Sequence, residues 1–223
     1  MAEWPIPPPR FTVSGEAAAL VVVDMQEMLC RRDKGLGVAV AATAGAADYF
    51  FERLTTVIES QQRLLESFRS SGRKVVFLTI GPNAADGSDL VPWRRRRNAE
   101  IRELYGVKYS GKGEGEHGVI PELEPKEGEI VLNKATFSPF ASTGIEHLLR
   151  SWGVRYPIFC GQATNVCVYQ TAAEAADRGF ECVVVEDACA AWDEELHHAF
   201  LRNFALLYGR VETAESLLEE LGA

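Results

Sequence analysis

No Cys-x-x-Cys pair occurs among the five cysteines of this 223-residue chain, which argues against a disulfide scaffold and against a zinc ribbon. The odd count, with no secretory signature, points to a reducing compartment. A basic start is missing: Met1-Ala2-Glu3-Trp4 runs into Pro5, Pro7, Pro8 and Pro9, so no signal peptide is expected. Nor does any apolar run approach the roughly 20 residues of a membrane helix. Ala17 to Val23 has the length of a buried strand instead. Positive charge is outnumbered, 23 Lys and Arg against 32 Asp and Glu, and the net charge of −9 repels nucleic acid and anionic lipid over most of the surface. A cytoplasmic protein with neither of those partners is expected.

Apolar residues make up 47% and charged residues 25%, the mix of a globular protein. A chain this long can bury about 70% of its unfolded surface and needs no staples. Short β-branched runs alternate with longer amphipathic stretches. Strands are predicted at Ala18 to Val23, Lys74 to Ile80, Glu129 to Asn133, Tyr156 to Cys160 and Glu181 to Val185, with a short piece near Val211. Between them Phe50, Leu54, Val57, Ile58, Leu65 and Phe68 repeat at helical spacing, with Gly72 at the expected stop. Ile145, Leu148, Leu149 and Trp152 form a second stripe, opened by the capping-box pair Thr143 and Glu146 and closed by Gly153. A third helix runs from Asn165 to Arg178, a fourth from an Asp193 cap to about Leu207, and a last one covers Ala214 to Leu221. Strands that are apolar throughout and separated by helices predict a doubly wound, Rossmann-like α/β fold: a parallel sheet with helices on both faces. With no Ser/Gly-rich linker or repeat to divide it, the chain reads as one domain over 1–223.

Two stretches break the alternation. Gln26 to Asp48 is rich in Gly and Ala, and Val38 to Ala47 within it is a candidate contact between copies of the chain. Gly81 to Gly128 is a long insertion, read as a partly helical lid or an oligomer contact. It holds Arg94-Arg95-Arg96-Arg97, which in an acidic chain reads as a solvated helix face or a salt-bridged interface. An anionic ligand would need Arg94 to Arg97 or Lys108 to turn inward.

Ligands of open parallel sheets sit beyond the carboxyl ends of the strands, where the winding reverses. Three reactive side chains stand at such ends. Asp24 closes Val21-Val22-Val23-Asp24, where partial desolvation suits a general base; a turn cap is the plainer account. Lys134 follows a strand and is either a snorkelling surface charge or a cation in the same cleft. Cys167 falls in the first helical turn after Gly161, where unpaired N–H groups and the helix dipole favour a thiolate and a lowered pKa. Cys160, Cys182 and Cys189 lie in or beside apolar strands and read as inert buried thiols. Nucleophile, base and cation, with backbone N–H donors at a helix start, make the parts of an acyl-transfer site.

Asp24-Met25-Gln26, Lys134 with Phe137-Ser138-Pro139-Phe140, and Gly161-x-x-Thr164-Asn165-x-Cys167-Val168-x-x-Thr171-Ala172 resemble the isochorismatase-like cysteine hydrolases. So do Gly179 and Val185-Glu186-Asp187-Ala188, and the resemblance runs from about Ala18 to Val211. It implies an Asp-Lys-Cys triad at Asp24, Lys134 and Cys167, and a sheet ordered 3-2-1-4-5-6. It also implies a cis Gln162–Ala163 bond that turns the Ala163 N–H toward an oxyanion beside the Cys167 N–H. The nicotinamidase branch adds a metal site with paired histidines after the second strand. Here that region reads Thr79-Ile80-Gly81-Pro82-Asn83-Ala84, so neither a metal nor another cofactor is expected. The isochorismatase branch cleaves a vinyl ether and can work without the cysteine. The resemblance is nearest to the ureidoacrylate and biuret-type amidohydrolases, which implies thioester-mediated cleavage of a small ureido, carbamoyl or linear amide compound. Gln26, Phe137, Tyr169, Gln170 and Trp192 are candidate substrate contacts, each with a packing alternative. Relatives assemble as dimers or tetramers, so a homo-oligomer is expected. The competing account from another class is a non-catalytic or redox-sensing thiol protein.

Overall fold

Among the described residues six strands form: β1 (Ala18–Val23), β2 (Lys74–Ile80), β3 (Ile130–Lys134), β4 (Tyr156–Gln162), β5 (Cys182–Ala190) and β6 (Gly209–Glu212). They pair in parallel as one sheet ordered β3-β2-β1-β4-β5-β6. The structure, a computed structural model, describes residues 6–43 and 45–222, apart from the Ala46 side chain. Residues 1–5, on which the expectation of no signal peptide rests, lie outside the described residues, as does Ala44 in the Gly/Ala-rich stretch.

Eight helices connect and cover the sheet among the described residues: α1 (Glu27–Cys30), α2 (Gly35–Ala41), α3 (Ala46–Ser70), α4 (Pro92–Tyr105), α5 (Ile145–Ser151), α6 (Tyr169–Asp177), α7 (Glu194–Leu207) and α8 (Ala214–Glu220). Every residue of β1 and β4 is buried, which requires cover on both faces. α3 and α8 pack together against the sheet, and α6 and α7 form the other packed pair. Phe50, Leu54, Val57, Leu65 and Phe68 are the buried face of α3, as their spacing predicts. None of the described helices is long and apolar enough to cross a membrane.

Element boundaries differ from the sequence reading where tertiary pairing overrides turn signals. β4 continues through Gly161, which pairs with Val23 of β1 on one side and Cys189 of β5 on the other. Gly161 has φ 123°, and a Cβ there would collide with the Val23 carbonyl oxygen. The glycine is therefore a close approach between central strands rather than a turn. Asp193 caps α7 by accepting the Leu196 N–H at 2.8 Å. Only half of the Thr143–Glu146 box forms: Thr143 accepts the Ile145 N–H, while Glu146 turns to Arg150 and Arg178. The Gly/Ala-rich stretch supplies α1 and α2, and the long insertion supplies α4.

Candidate active site

β1 and β4 are neighbours whose chains leave toward opposite flanks of the sheet, so the winding reverses at their carboxyl ends. Asp24 follows β1 directly with φ 54°, a left-handed backbone that a non-glycine residue adopts only under constraint. Its N–H donates to Leu78 O at 2.9 Å, and its carbonyl accepts Gln162 Nε2 at 3.0 Å. Lys134 is the last residue of β3, two strands away, or roughly 10 Å by sheet spacing. Its four-carbon stem crosses β2, and the side chain is 0% exposed rather than snorkelling. Lys134 Nζ stands 2.7 Å from Asp24 Oδ2 and 3.3 Å from Cys167 Sγ. One buried ammonium thus touches both the carboxylate and the sulfur.

Cys167 sits in a single π turn, Thr164–Val168, that leads into α6. Such turns widen the backbone locally and recur at functional sites. The Gln162–Ala163 bond before it is cis. Burial raises the Asp24 carboxyl above its ordinary value against the pull of Lys134 and of the nearby Cys167 thiol. Burial also pushes the Cys167 thiol up, and the nearby Asp24 carboxylate adds to this against Lys134. The lowered thiol pKa expected from the helix start is therefore corrected: desolvation raises it, and the resting sulfur is a thiol. Asp24 Oδ1 is buried with no hydrogen-bond partner among the described residues, an open acceptor beside that thiol.

Above this floor lies a cleft, partly open to solvent, whose lining includes Asp24, Ala163 and Cys167. Leu29, Leu36, Ile80, Val166 and Trp192 make apolar walls. α4 closes the far side with Trp93, Arg94, Arg97, Asn98 and Ile101, and Tyr109 and Phe137 complete it.

A family model described as the isochorismatase domain matches residues 18–216. The chain belongs to the isochorismatase family. Among curated relatives, the ureidoacrylate amidohydrolase RutB of Serratia proteamaculans is 30% identical, over 98% of this chain and 88% of the relative. The protein of the same name from Yersinia enterocolitica is 31% identical over 90% of this chain and 87% of its own length. Among solved structures, a cysteine hydrolase from Pseudomonas syringae pv. phaseolicola superposes with TM-score 0.80 at 23% identity, covering 98% of this chain and 99% of that one, a likeness of fold. N-carbamoylsarcosine amidase from Thermoplasma acidophilum does so with TM-score 0.65 at 29% identity, covering 89% and 96%.

Within this isochorismatase-family cleft, only two of the five candidate substrate contacts, Phe137 and Trp192, line the wall. Gln26 is 0% exposed and spent on structure: Nε2 donates to His117 O at 2.7 Å, and Oε1 accepts the Ile80 N–H at 2.7 Å. Tyr169 points away from the cleft, edge-on to Phe200 and Tyr208. Gln170 is exposed on α6. These three stand outside the lining: Gln26 is tied to Ile80 and His117, while Tyr169 and Gln170, beyond the π turn, face α7 or solvent as the chain re-enters regular helix. The arginine run is corrected in part. Arg95, Arg96 and Arg97 are exposed, but Arg94 is only 4% exposed and turns into the cleft. Arg94, Arg97, Asn98 and Ile101 follow i, i+3, i+4, i+7 spacing, a signal present in the sequence but polar and hence easily taken for a solvent face.

Behind the reacting turn lies a support that sequence reasoning missed. His197, 0% exposed on α7, meets Thr164 Oγ1 through Nδ1 at 2.8 Å and Arg53 Nη2 through Nε2 at 2.7 Å. Arginine can only donate, so Nε2 is the acceptor and Nδ1 carries the proton toward Thr164. Burial, with Arg53 and His198 nearby, pushes His197 down to about 3, so it stays neutral in this role. Among the described residues, no three His, Cys, Asp or Glu side chains gather as a metal cluster.

Proposed function

We propose that this isochorismatase-family hydrolase is a cysteine-dependent amidohydrolase that cleaves a C–N bond of a small ureido, carbamoyl or linear amide compound through a thioester. The observation that carries the reading is Lys134 Nζ bridging Asp24 Oδ2 and Cys167 Sγ at the base of a lined cleft. The amidohydrolase and amidase names of the relatives support the reaction class. Because the resting sulfur is a thiol, attack and deprotonation are coupled: Asp24 takes the proton as sulfur bonds to the carbonyl carbon. Lys134, in contact with both, balances whichever partner is anionic. The Ala163 and Cys167 N–H groups receive the oxyanion. Asp24 returns its proton to the amine as the C–N bond breaks, then takes one from the water that attacks the thioester and passes it to the sulfur as the C–S bond breaks, which restores the thiol. Trp192 Nε1, buried in the wall with no acceptor among the described residues, offers a further donor to a substrate oxygen.

Two competing readings are weaker. A redox sensor wants an exposed, acidic thiol, whereas Cys167 is 5% exposed with its pKa raised. Vinyl-ether cleavage would leave the buried cysteine–lysine contact without a task. Ammonia release from ureidoacrylate, biuret, N-carbamoyl amino acids, maleamate and nicotinamide, with Cys167→Ser alongside and chelator present, tests the proposal. Turnover of a ureido or carbamoyl compound that is lost in the variant supports it; equal turnover by Cys167→Ser ends it.

The chain is further proposed to act in the cytoplasm as a homo-oligomer. Leu104, 74% exposed, and Tyr105 border a groove with Ala39 and Val40 of α2, an apolar face suited to a second copy. Leu104→Glu is expected to shift the protein to a smaller species in analytical ultracentrifugation.

A further inference from the structure

We propose that Arg94, with Arg97 at the mouth of the cleft, binds a carboxylate at the far end of the substrate, so that the enzyme takes ureido or carbamoyl acids in preference to neutral amides. This rests on the amidohydrolase reading and adds the substrate class to it.

The charge balance of the cleft carries the argument. At the floor, Lys134 and Asp24 cancel one another at 2.7 Å, and the sulfur rests as a neutral thiol. Arg94 is then the one further charge among the deeply buried cleft residues. No ion pair forms to it, or to Arg97, among the described residues. A guanidinium taken out of water without an anion is costly, and proteins keep one where an anion arrives. Its placement also fits a prepared clamp. Nη1 donates to Ala135 O at 2.7 Å, which fixes one edge of the fork. The guanidinium carbon lies 5.0 Å from the Phe137 ring centroid and 5.7 Å from that of Tyr109, so aromatic walls orient the plane. Of five N–H donors, those facing neither Ala135 O nor the Tyr109 hydroxyl remain for a carboxylate.

Arg94 and Arg97 are one turn apart on the same face of α4, one deep and one exposed. A chain of net charge −9 repels anions at long range, and an exposed arginine at the cleft mouth reverses that field locally. Arg97 therefore acts on entry and Arg94 on the bound state.

The test measures binding by calorimetry to Cys167→Ala protein, which removes the nucleophile and leaves α4 intact. The probes are ureidoacrylate, N-carbamoyl-β-alanine and N-carbamoylsarcosine, each beside its own primary amide. At least one acid should bind tenfold or more tightly than its amide. Arg94→Gln should erase that preference, Arg94→Lys should keep part of it, and Arg97→Gln should reduce it less and mainly at low salt. Acids and amides behaving alike throughout, whether bound or not, would overturn the proposal, and so would a preference that survives Arg94→Gln. Should Arg94→Gln fail to fold, the acid-to-amide ratio in protein with Arg94 intact decides. Turnover by the unmodified enzyme separates this idea from the one beneath it. Hydrolysis of acids and amides at like rates would sink the carboxylate clamp and leave the amidohydrolase standing. Arg94-dependent binding of acids that are never hydrolysed would do the reverse.

Discussion

Asp24, Lys134 and Cys167 stand at or just past strand ends, and their positions follow from the sheet: strand order sets the neighbours, register sets the depth, and burial sets the protonation. The wall opposite them comes from α4 and the segment around it, where no strand dictates position and one face of a polar helix lines the cleft. The floor is buried and the wall half-exposed, and the proposed reading gives the chemistry to the first and the choice of substrate to the second. A family can hold the first constant while changing the second, which is why fold and mechanism do not together name a substrate.

The comparison is broken most severely at the floor. Cys167→Ser and Lys134→Met should each reduce turnover by about a thousandfold or more, and the double variant should fall little further, because the groups act as a unit. The two should part company in stability. Lys134→Met strands the buried Asp24 carboxylate and is expected to cost about 3–5 kcal/mol in urea denaturation, whereas Cys167→Ser removes no charge partner. Comparable losses of stability from both would mean that the ion pair does not hold the floor.

Gly161 sharpens the same contrast through the backbone. Gly161→Ala must place a methyl group against Val23 O at φ 123°. About 1–3 kcal/mol of destabilisation is expected from the overlap, with the conformational strain added to it. A glycine on the wall side such as Gly113, which has φ 88° but open space around its Cβ, should lose only the strain. Thermal melts of Gly161→Ala and Gly113→Ala give the ranking, and equal shifts would remove the claim that β1 and β4 need this close approach.

How much of this was legible beforehand depends on which force placed each residue. Hydrophobic runs announce buried strands, so β1, β2 and β4, and with them the setting of Asp24 and Cys167, could be read directly. Lys134 could be placed at a strand end, but its reach across β2 is a tertiary fact, and a strand-end lysine otherwise reads as surface. The thiol's raised pKa was hidden for the same reason: the helix-end donors are local in sequence, while the desolvation that overrides them is assembled from several elements. Gln26 misled because its neighbour Asp24 faces the cleft, whereas Gln26 turns back to tie Ile80 to His117. Arg94 was obscured by its three exposed companions.

A milder break comes from the support behind the reacting turn. His197 has a folded-state pKa of about 3 against an ordinary 6.5. Between those values the unfolded chain binds the proton and the folded one does not, so this group makes stability rise with pH over that interval and fall as acid is added. Asp24, raised by burial, contributes the opposite slope above 3.8, so the His197 effect is read as a difference between proteins. His197→Gln should flatten the acid side of the stability curve and lower kcat several-fold by loosening Thr164. An unchanged acid slope in the variant would assign the effect to other groups.

The smallest expected effect separates the two sides of a single turn. Tyr169 begins α6 two residues after Cys167, yet its hydroxyl accepts Asn203 Nδ2 at 2.5 Å and its ring packs edge-on to Phe200 at 4.9 Å, all outside the cleft. Tyr169→Phe removes only that hydroxyl, so a loss of about 0.5–1.5 kcal/mol in stability is expected. kcat/KM should stay within twofold of the parent. A larger fall in kcat/KM at unchanged stability would mean that the π turn transmits the α6–α7 contact to the sulfur. The boundary between floor and support would then have to move outward by one layer of side chains.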